Sequence, residues 1–484
     1  MYLGIDLGTS SIKLILMKAS GDIVATESSA FEVSRPRPLW SEQNPLDWFD
    51  GMEMCINKLA SQHDLTQVLS IGLSGQMHGA TLLDNLNNVI RPAILWNDGR
   101  CAAECEQIEE MVPGARAITG NIVMPGFTAP KILWVKNHEP ENFAKINKVL
   151  LPKDYLRFRL SGDFASDMSD SAGTSWLDVE NRSWNKYMLS ATGLDESHMP
   201  KLFEGNDITG HLSAELANKW GMKQVPIVAG AGDNAAGAIG LGIVNSGQAM
   251  LSLGTSGVFF AAADGFHANP DSAVHSFCHA LPNSWHLMSV MLSAASCLAW
   301  YADIVVKQPV VELLSNLEQA EIDLSSNCYF LPYLAGERTP HNNPQAQGMF
   351  FGLTAGTTQE QMTHAVLEGV ALAFADCAEA LYGSGLEPTD ITLIGGGARS
   401  SYWRQMIANV LNKDVSFRRG GDIGPALGAA RLAQLAIETD KSVDEICQAP
   451  PLEQIHKADT QAHEVYQQRL LKFRALYQAI EACF

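Results

Sequence analysis

The chain has 484 residues, about three times the usual domain size, so two or three folding units are expected. Hydrophobic residues make up 46% and charged residues 18%, which excludes a disordered, collagenous or coiled-coil chain. With 33 Lys+Arg against 53 Asp+Glu the formal charge is −20, which argues against general binding to nucleic acid or an anionic membrane but leaves room for one small anion held locally.

The first segment reads as a β-meander. Leu3, Ile5 and Leu7 alternate up to Gly8, Ile12, Leu14 and Leu16 alternate after it, and Gly21-Asp22 turns the chain into Ile23-Val24-Ala25. Asp6 inside the apolar stretch and the missing leading positive cluster argue against a signal peptide. Asn44-Pro45 starts a helix that runs to Leu59. Leu69–Leu73 predicts a strand entering the Gly-rich loop Ser74–Gly79, and Ala80–Leu83 and Ala93–Trp96 flank a polar turn at Asp84–Asn88. Val225–Ala229 is an apolar strand, followed by a Gly-rich break and a small-residue helix from Asp233 to Gly240. A second small-residue helix follows Pro425, and the two could cross at a hinge. A C-terminal helix is expected from about 456 to 482; it could pack back on the first domain, which the sequence does not decide. No run of 18 apolar residues exists, so no transmembrane helix is expected. Nine scattered cysteines, an odd count, argue for reduced thiols and a cytoplasmic setting; Cys101 and Cys105 lack partners for a metal site.

The most informative pattern is an internal repeat. Ile5-Asp-Leu-Gly-Thr-Ser-Ser11 returns half a chain later as Leu251-Ser-Leu-Gly-Thr-Ser-Gly257, each copy between alternating apolar runs. This places the domain boundary near 242, giving residues 1–242 and 243–484. Turns of this kind suit a phosphate, because glycine admits the anion close to backbone amides and the hydroxyls add donors. A single copy would read rather as a plain hairpin turn; the pairing of copies, with Asp6 just before the first, reverses that preference. Asp6, at the strand end beside the first turn, is placed to hold Mg²⁺ through water. Gly395-Gly396-Gly397-Ala398 leaves bare backbone for a ring or phosphate but is not the dinucleotide fingerprint, and no P-loop occurs. Asp233 reads either as a helix N-cap or as a carboxylate taking a proton from an attacking hydroxyl. His78 reads either as a sugar ligand or as an ordinary loop histidine. Trp96–Arg100 and Gly336–His341 are dense in hydrogen-bonding groups, which suits a polyol and equally suits salt-bridged loop anchors.

Taken together, Gly4–Ser10, Met124–Trp134, Gly232–Ala235, Leu253–Gly257, Gly336–Pro340 with Gly348–Gly352, and Gly395–Arg399 resemble the carbohydrate kinases of the FGGY type, over essentially the whole chain. Ser74–Gly79, Leu95–Arg100 and Ser166–Gly173 are most similar to members acting on D-xylulose. The resemblance implies two actin-like (ribonuclease H-like) α/β domains, each a mixed five-stranded sheet with helices on both faces, flanking a deep catalytic cleft. It implies ATP between the domains, its phosphates held by Gly8, Thr9, Ser10, Gly254, Thr255 and Ser256, with Lys13 reaching a phosphate and Gly396, Gly397 and Ala398 bordering the adenosine. It makes Asp233 the general base, Met77, His78, Asp233 and Asn234 the sugar contacts, and Asp6 both catalytic and the Mg²⁺ ligand. The expected reaction is phosphorylation of D-xylulose by ATP. A kinase for another ketose or polyol such as ribulose, a non-catalytic sugar sensor and an actin-like filament former are the alternatives. Dimers are common in the family, so a homodimer is expected by analogy.

Overall fold

The computed structural model describes residues 1–418 and 424–484. The meander forms as expected: β1 (Tyr2–Leu7), β2 (Ser11–Met17) and β3 (Ile23–Ala30) pair antiparallel in order. The period of two along a strand divides their side chains between two faces. Leu3, Ile5 and Leu7 pack with Trp48, Phe49 and Met52 of α1 (Pro45–Gln62), whose first turn is capped by the Asn44 side chain. Tyr2 and Ile15 face the opposite side, and Gly4 and Asp6 share that side with Tyr2.

The first sheet is completed by β4 (Ser70–Gly75), β5 (Ile208–His211), β6 (Pro226–Val228) and β7 (Ala231–Gly232), in the order β5-β6-β4-β1-β2-β3 with β7 paired to β4. The second sheet runs β10-β11-β9-β8-β12-β13-β14, from β8 (Gln248–Leu253), β9 (Gly257–Ala263), β10 (His275–Cys278), β11 (Trp285–Met291), β12 (Asp390–Ile394), β13 (Val415–Arg418) and β14 (Leu452–His456). In each half the repeated strand, β1 or β8, pairs antiparallel with the strand after its Gly-Thr-Ser turn and parallel with a distant one, β4 or β12. The half-chain repeat is therefore structural. Each sheet has seven strands rather than five. Five correspond between the halves, and short strands, β5 and β7 in the first and β10 and β14 in the second, extend them.

The helices that matter for the site are α2 (Met168–Ala172), α3 (Asp233–Leu241), α4 (Ala295–Trp300), α5 (Val310–Gln319), α6 (Gln359–Tyr382), α7 (Ser401–Leu411), α8 (Gly424–Leu435) and α9 (Thr460–Ile480). The docking of the C-terminal helix, left open by the sequence, is on the second domain. Tyr466, Leu470, Phe473 and Tyr477 of α9 are buried in the second core with α6 and α7, and Arg469 forks onto Glu368 of α6. An amphipathic helix goes where its apolar stripe is matched, and its neighbours supply that match. The helix that does return is α8. It lies backbone to backbone on the first sheet: a Cβ at Gly4 would sit 2.1 Å from the Ala426 carbonyl oxygen and one at Gly72 would sit 1.9 Å from that of Ala429. On its other side Gly428 meets Ala236 of α3 equally closely, so the two small-residue helices pack against each other as their composition suggested. Among the described residues no helix is long and apolar enough to cross a membrane.

Candidate active site

Three neighbouring strand ends bring the central carboxylates together. Asp6 is paired with Lys13 across the antiparallel β1–β2 ladder and with Ser74 across the parallel β1–β4 ladder, so all three share one face. Ser74 Oγ donates to Asp6 Oδ1 at 2.8 Å. Gly232 of β7 pairs with Gly75, and Asp233 follows it at once. Gly232, not Asp233, is the N-cap of α3, and Asp233 is the first helical residue. This removes the N-cap reading. The Asp233 carboxylate accepts from the backbone N–H and the Nδ2 of Asn234, at 2.8 and 3.0 Å. Burial, with the charge of Asp6 added, pushes Asp233 up to about 7, a value suited to a base at neutral pH. Burial also raises Asp6, against the Ser74 hydrogen bond and Lys13.

Two desolvated carboxylates that repel each other suit a cation. Among the described residues no group of three His, Cys, Asp or Glu could cage a metal unaided. A single carboxylate at Asp6 suits Mg²⁺, which keeps most of its waters and takes substrate phosphates as ligands.

The expected sugar residues lie on the same side. Met77 packs on Gly232, where a Cβ would meet its Cγ at 2.8 Å, and His78 packs on Gly173, where a Cβ would meet its Cε1 at 2.4 Å. His78 has φ +69°, a conformation that L-residues avoid. Its backbone is held by two buried donors: Lys131 Nζ reaches the His78 carbonyl at 2.8 Å and Thr128 Oγ1 reaches it at 3.1 Å. The imidazole is pushed down to about 3 by burial, with the charge of Lys131 added, so it is neutral. Its Nδ1 lies 2.6 Å from the Gly173 carbonyl, which can only accept. Nδ1 therefore carries the proton, and Nε2 is left as an acceptor for a hydroxyl. Phe127 and Phe277 flank the ring.

The two turns expected to hold phosphate are braced alike. In the first, the carbonyls of Thr9 and Ser10 accept from Gln43 Nε2 and the Phe31 N–H, at 2.7 and 2.8 Å. Trp96 Nε1 donates to Thr9 Oγ1 at 2.9 Å, leaving that hydroxyl free to donate elsewhere. The Gly8 amide is spent within the hairpin on the Ser11 carbonyl, so Gly8 supplies space rather than a donor. In the second turn the Gly254 and Thr255 carbonyls accept from the Ala295 and Ala294 amides, and Thr255 also from Ser296 Oγ. Oxygens that would repel a phosphate are thus engaged by protein. Ser10, Thr255 and Ser256 are exposed.

The triple glycine adjoins the second turn. Gly395 takes φ +91° and, like Gly397, packs against Leu253, where β8 ends. A Cβ at Gly396 would meet nothing within 4 Å, and Gly396 and Gly397 line a cavity of about 620 Å³. Its other wall is apolar: Ala295, Leu298, Ala299, Val310 and Leu314 of α4 and α5. Bare backbone facing an aliphatic wall suits a flat heterocycle. Ala398 does not face this cavity. Its side chain is in the core, its N–H bonds the Gly395 carbonyl, and its own carbonyl accepts from Arg404 Nη1.

Sequence reasoning missed the α4–α5 wall, Lys131, Phe127 as a ring partner, and the buried cluster of Lys153, Asp154, Asp167 and Asp170. The wall reads as ordinary amphipathic helix. Charged residues fully buried in motifs already singled out, Lys131 in Met124–Trp134 and Asp167 and Asp170 in Ser166–Gly173, were the available signal. Of the polar loops, Trp96–Arg100 is largely an anchor: Arg100 pairs with Asp98 and Glu42, at 2.7 and 2.8 Å, and lies over Trp40. Cys101 and Cys105 are buried and donate to carbonyls.

Paired strand–turn–strand elements, a cavity of about 620 Å³ beside one turn, a raised carboxylate at Asp233 and a neutral imidazole at His78 fit an ATP-dependent kinase of small hydroxylated substrates. The N-terminal domain of the FGGY family of carbohydrate kinases matches residues 1–240 and its C-terminal domain matches residues 249–437. The chain belongs to that family. It is 57% identical to the xylulose kinase of Escherichia coli K12 over 480 residues, 99% of each chain. It is 53% identical to the xylulose kinase of Klebsiella pneumoniae over 95% of each chain. A solved structure described as a xyloylose kinase from Brucella ovis superposes with a TM-score of 0.96 at 47% identity, covering 100% of both chains.

Proposed function

We propose that the protein transfers the γ-phosphoryl group of ATP to the terminal hydroxyl of D-xylulose, giving D-xylulose 5-phosphate and ADP. The observation that carries this reading is Asp233, a carboxylate raised to about 7 that follows the Gly232 on which Met77 packs, in a chain similar end to end to xylulose kinases. Asp233 accepts the hydroxyl proton as the oxygen attacks phosphorus in line. His78 Nε2 accepts from a second sugar hydroxyl, and Asn234 fixes the Asp233 carboxylate while facing the sugar. The turns at Gly8–Ser10 and Gly254–Ser256, with Lys13, receive the phosphates. The adenosine takes the cavity between Gly396–Gly397 and the α4–α5 wall. Asp6 would hold Mg²⁺, which supplies charge neutralisation on the phosphate oxygens when bound. We place the protein in the cytoplasm, supported by its free and mostly buried cysteines, and expect a homodimer by analogy with the family.

A coupled ADP-release assay across D-xylulose, D-ribulose, L-ribulose, xylitol, gluconate and glycerol tests the substrate. The highest kcat/KM is expected on D-xylulose, and a higher value on any other sugar would overturn the assignment.

A further inference from the structure

The reaction as described makes no use of the buried charged cluster beneath the start of α3. We propose that Ser169 is a positioning residue for Asp233: its hydroxyl, aimed by Asp167 and Lys153, holds the Gly232 amide and so fixes the backbone from which the base projects. The inference rests on Asp233 being the base.

Every link is a close contact among buried groups. Ser169 Oγ donates to Asp167 Oδ2 at 2.5 Å, which turns its lone pairs toward Gly232, and the Gly232 N–H reaches Ser169 Oγ at 3.1 Å. The same Asp167 oxygen caps α2 by accepting the Ser169 N–H at 2.7 Å. Asp167 Oδ1 lies 2.9 Å from Lys153 Nζ, which also meets Asp154 at 2.5 Å and the Ala229 carbonyl of the strand leading to Asp233 at 3.3 Å. Lys153, Asp167, Ser169 and Asp170 are all 0% exposed. On its other side Gly232 is closed in by Met77. Gly232 has no side chain with which to cap α3, so beside its ladder pairing with Gly75 the Ser169 contact is the side-chain anchor of this junction.

An ammonium surrounded by three carboxylates is a costly way to fill a core, and apolar residues of similar volume often serve stability as well. Burial works to lower the Lys153 ammonium, but Asp154, Asp167 and Asp170 outweigh it and raise it, so the ammonium stays charged, while burial raises Asp154 and Asp170. Such a network specifies direction. Direction matters at a base, where a misplacement of about 1 Å can cost about a hundredfold in rate.

The test compares Ser169→Ala with Asp233→Asn and wild type in kcat, sugar KM, the pH profile of kcat/KM and thermal unfolding. The charged groups facing Asp233 are Asp6 from β1 and Asp170 from α2, both acidic. Ser169→Ala is expected to lower kcat per folded molecule about ten- to hundredfold while sugar KM changes less than about threefold. Its acid limb should move to lower pH as the freed carboxylate relaxes toward water. Unchanged kcat and limb, or a loss that disappears when activity is expressed per folded molecule, would overturn the positioning role. An inactive Asp233→Asn beside a normal Ser169→Ala refutes the tether alone. Near-normal turnover by Asp233→Asn refutes the base itself.

Discussion

At the scale of the residue, the site is governed by which groups carry a proton at neutral pH. As the proposed base Asp233 must be ionised to accept the sugar's proton, and burial together with Asp6 pushes it up to about 7. Below that value the protonated fraction grows, so kcat/KM for the sugar should fall about tenfold per pH unit as pH drops from 7 toward 5. Asp6→Asn removes the like charge, so the limb should shift to lower pH even as total activity drops. A limb that stays at the wild-type pH in this variant would show that the two carboxylates are uncoupled. His78 depends on shape rather than charge. A methyl at residue 173 would press on its ring at 2.4 Å. Gly173→Ala is therefore expected to raise sugar KM about tenfold or more with little change in ATP KM, measured by steady-state kinetics with each substrate varied in turn.

At the scale of the element, glycines do two opposite jobs here. Gly72 and Gly428 let α8 lie on β4 and α3 with backbones touching, whereas Gly396 faces open space beside the nucleotide cavity. Gly72→Ala would drive a methyl into the Ala429 carbonyl and should cost more than about 2 kcal/mol in denaturant unfolding. Gly396→Ala should change stability by less than about 0.5 kcal/mol but raise ATP KM, because the methyl enters ligand space rather than protein. Equal stability losses in the two variants would contradict this division. The strand–turn–strand elements behave consistently with this. Their carbonyls are tied down from behind, by Gln43 and Phe31 in one copy and by Ala294 and Ala295 in the other.

At the scale of the whole molecule, the net charge of −20 repels a triphosphate. Under the proposed function, binding then depends on short-range donors and the proposed Mg²⁺, not on steering. Raising salt from about 10 to about 100 mM shortens the screening length from about 30 to about 10 Å. The association rate of MgATP, followed by stopped-flow, should therefore hold steady or rise over that range. A steep fall would show that a local basic field dominates instead.

The meander, the Gly-Thr-Ser repeat and the division into two related halves were legible in the residues, because alternation and turn chemistry are local and act within a few residues; the α/β plan of each half came from the family resemblance. Asp6, Asp233 and His78 stood out too, each beside a glycine-rich break where a strand ends, whereas Met77 came only from the family resemblance. Tertiary structure alone decided which helix returns to the first sheet. The α8 and α9 segments both read as helices, and only the glycines of β1, β4 and α8 create the groove that selects α8. It also decided that Asp98 and Arg100 are loop anchors, that Ala398 belongs to the core, and that Ser169, Lys153 and Asp167 sit under the base. A polar side chain's role depends on what lies within about 3 Å of it, and those neighbours come from elements that the chain brings together only on folding.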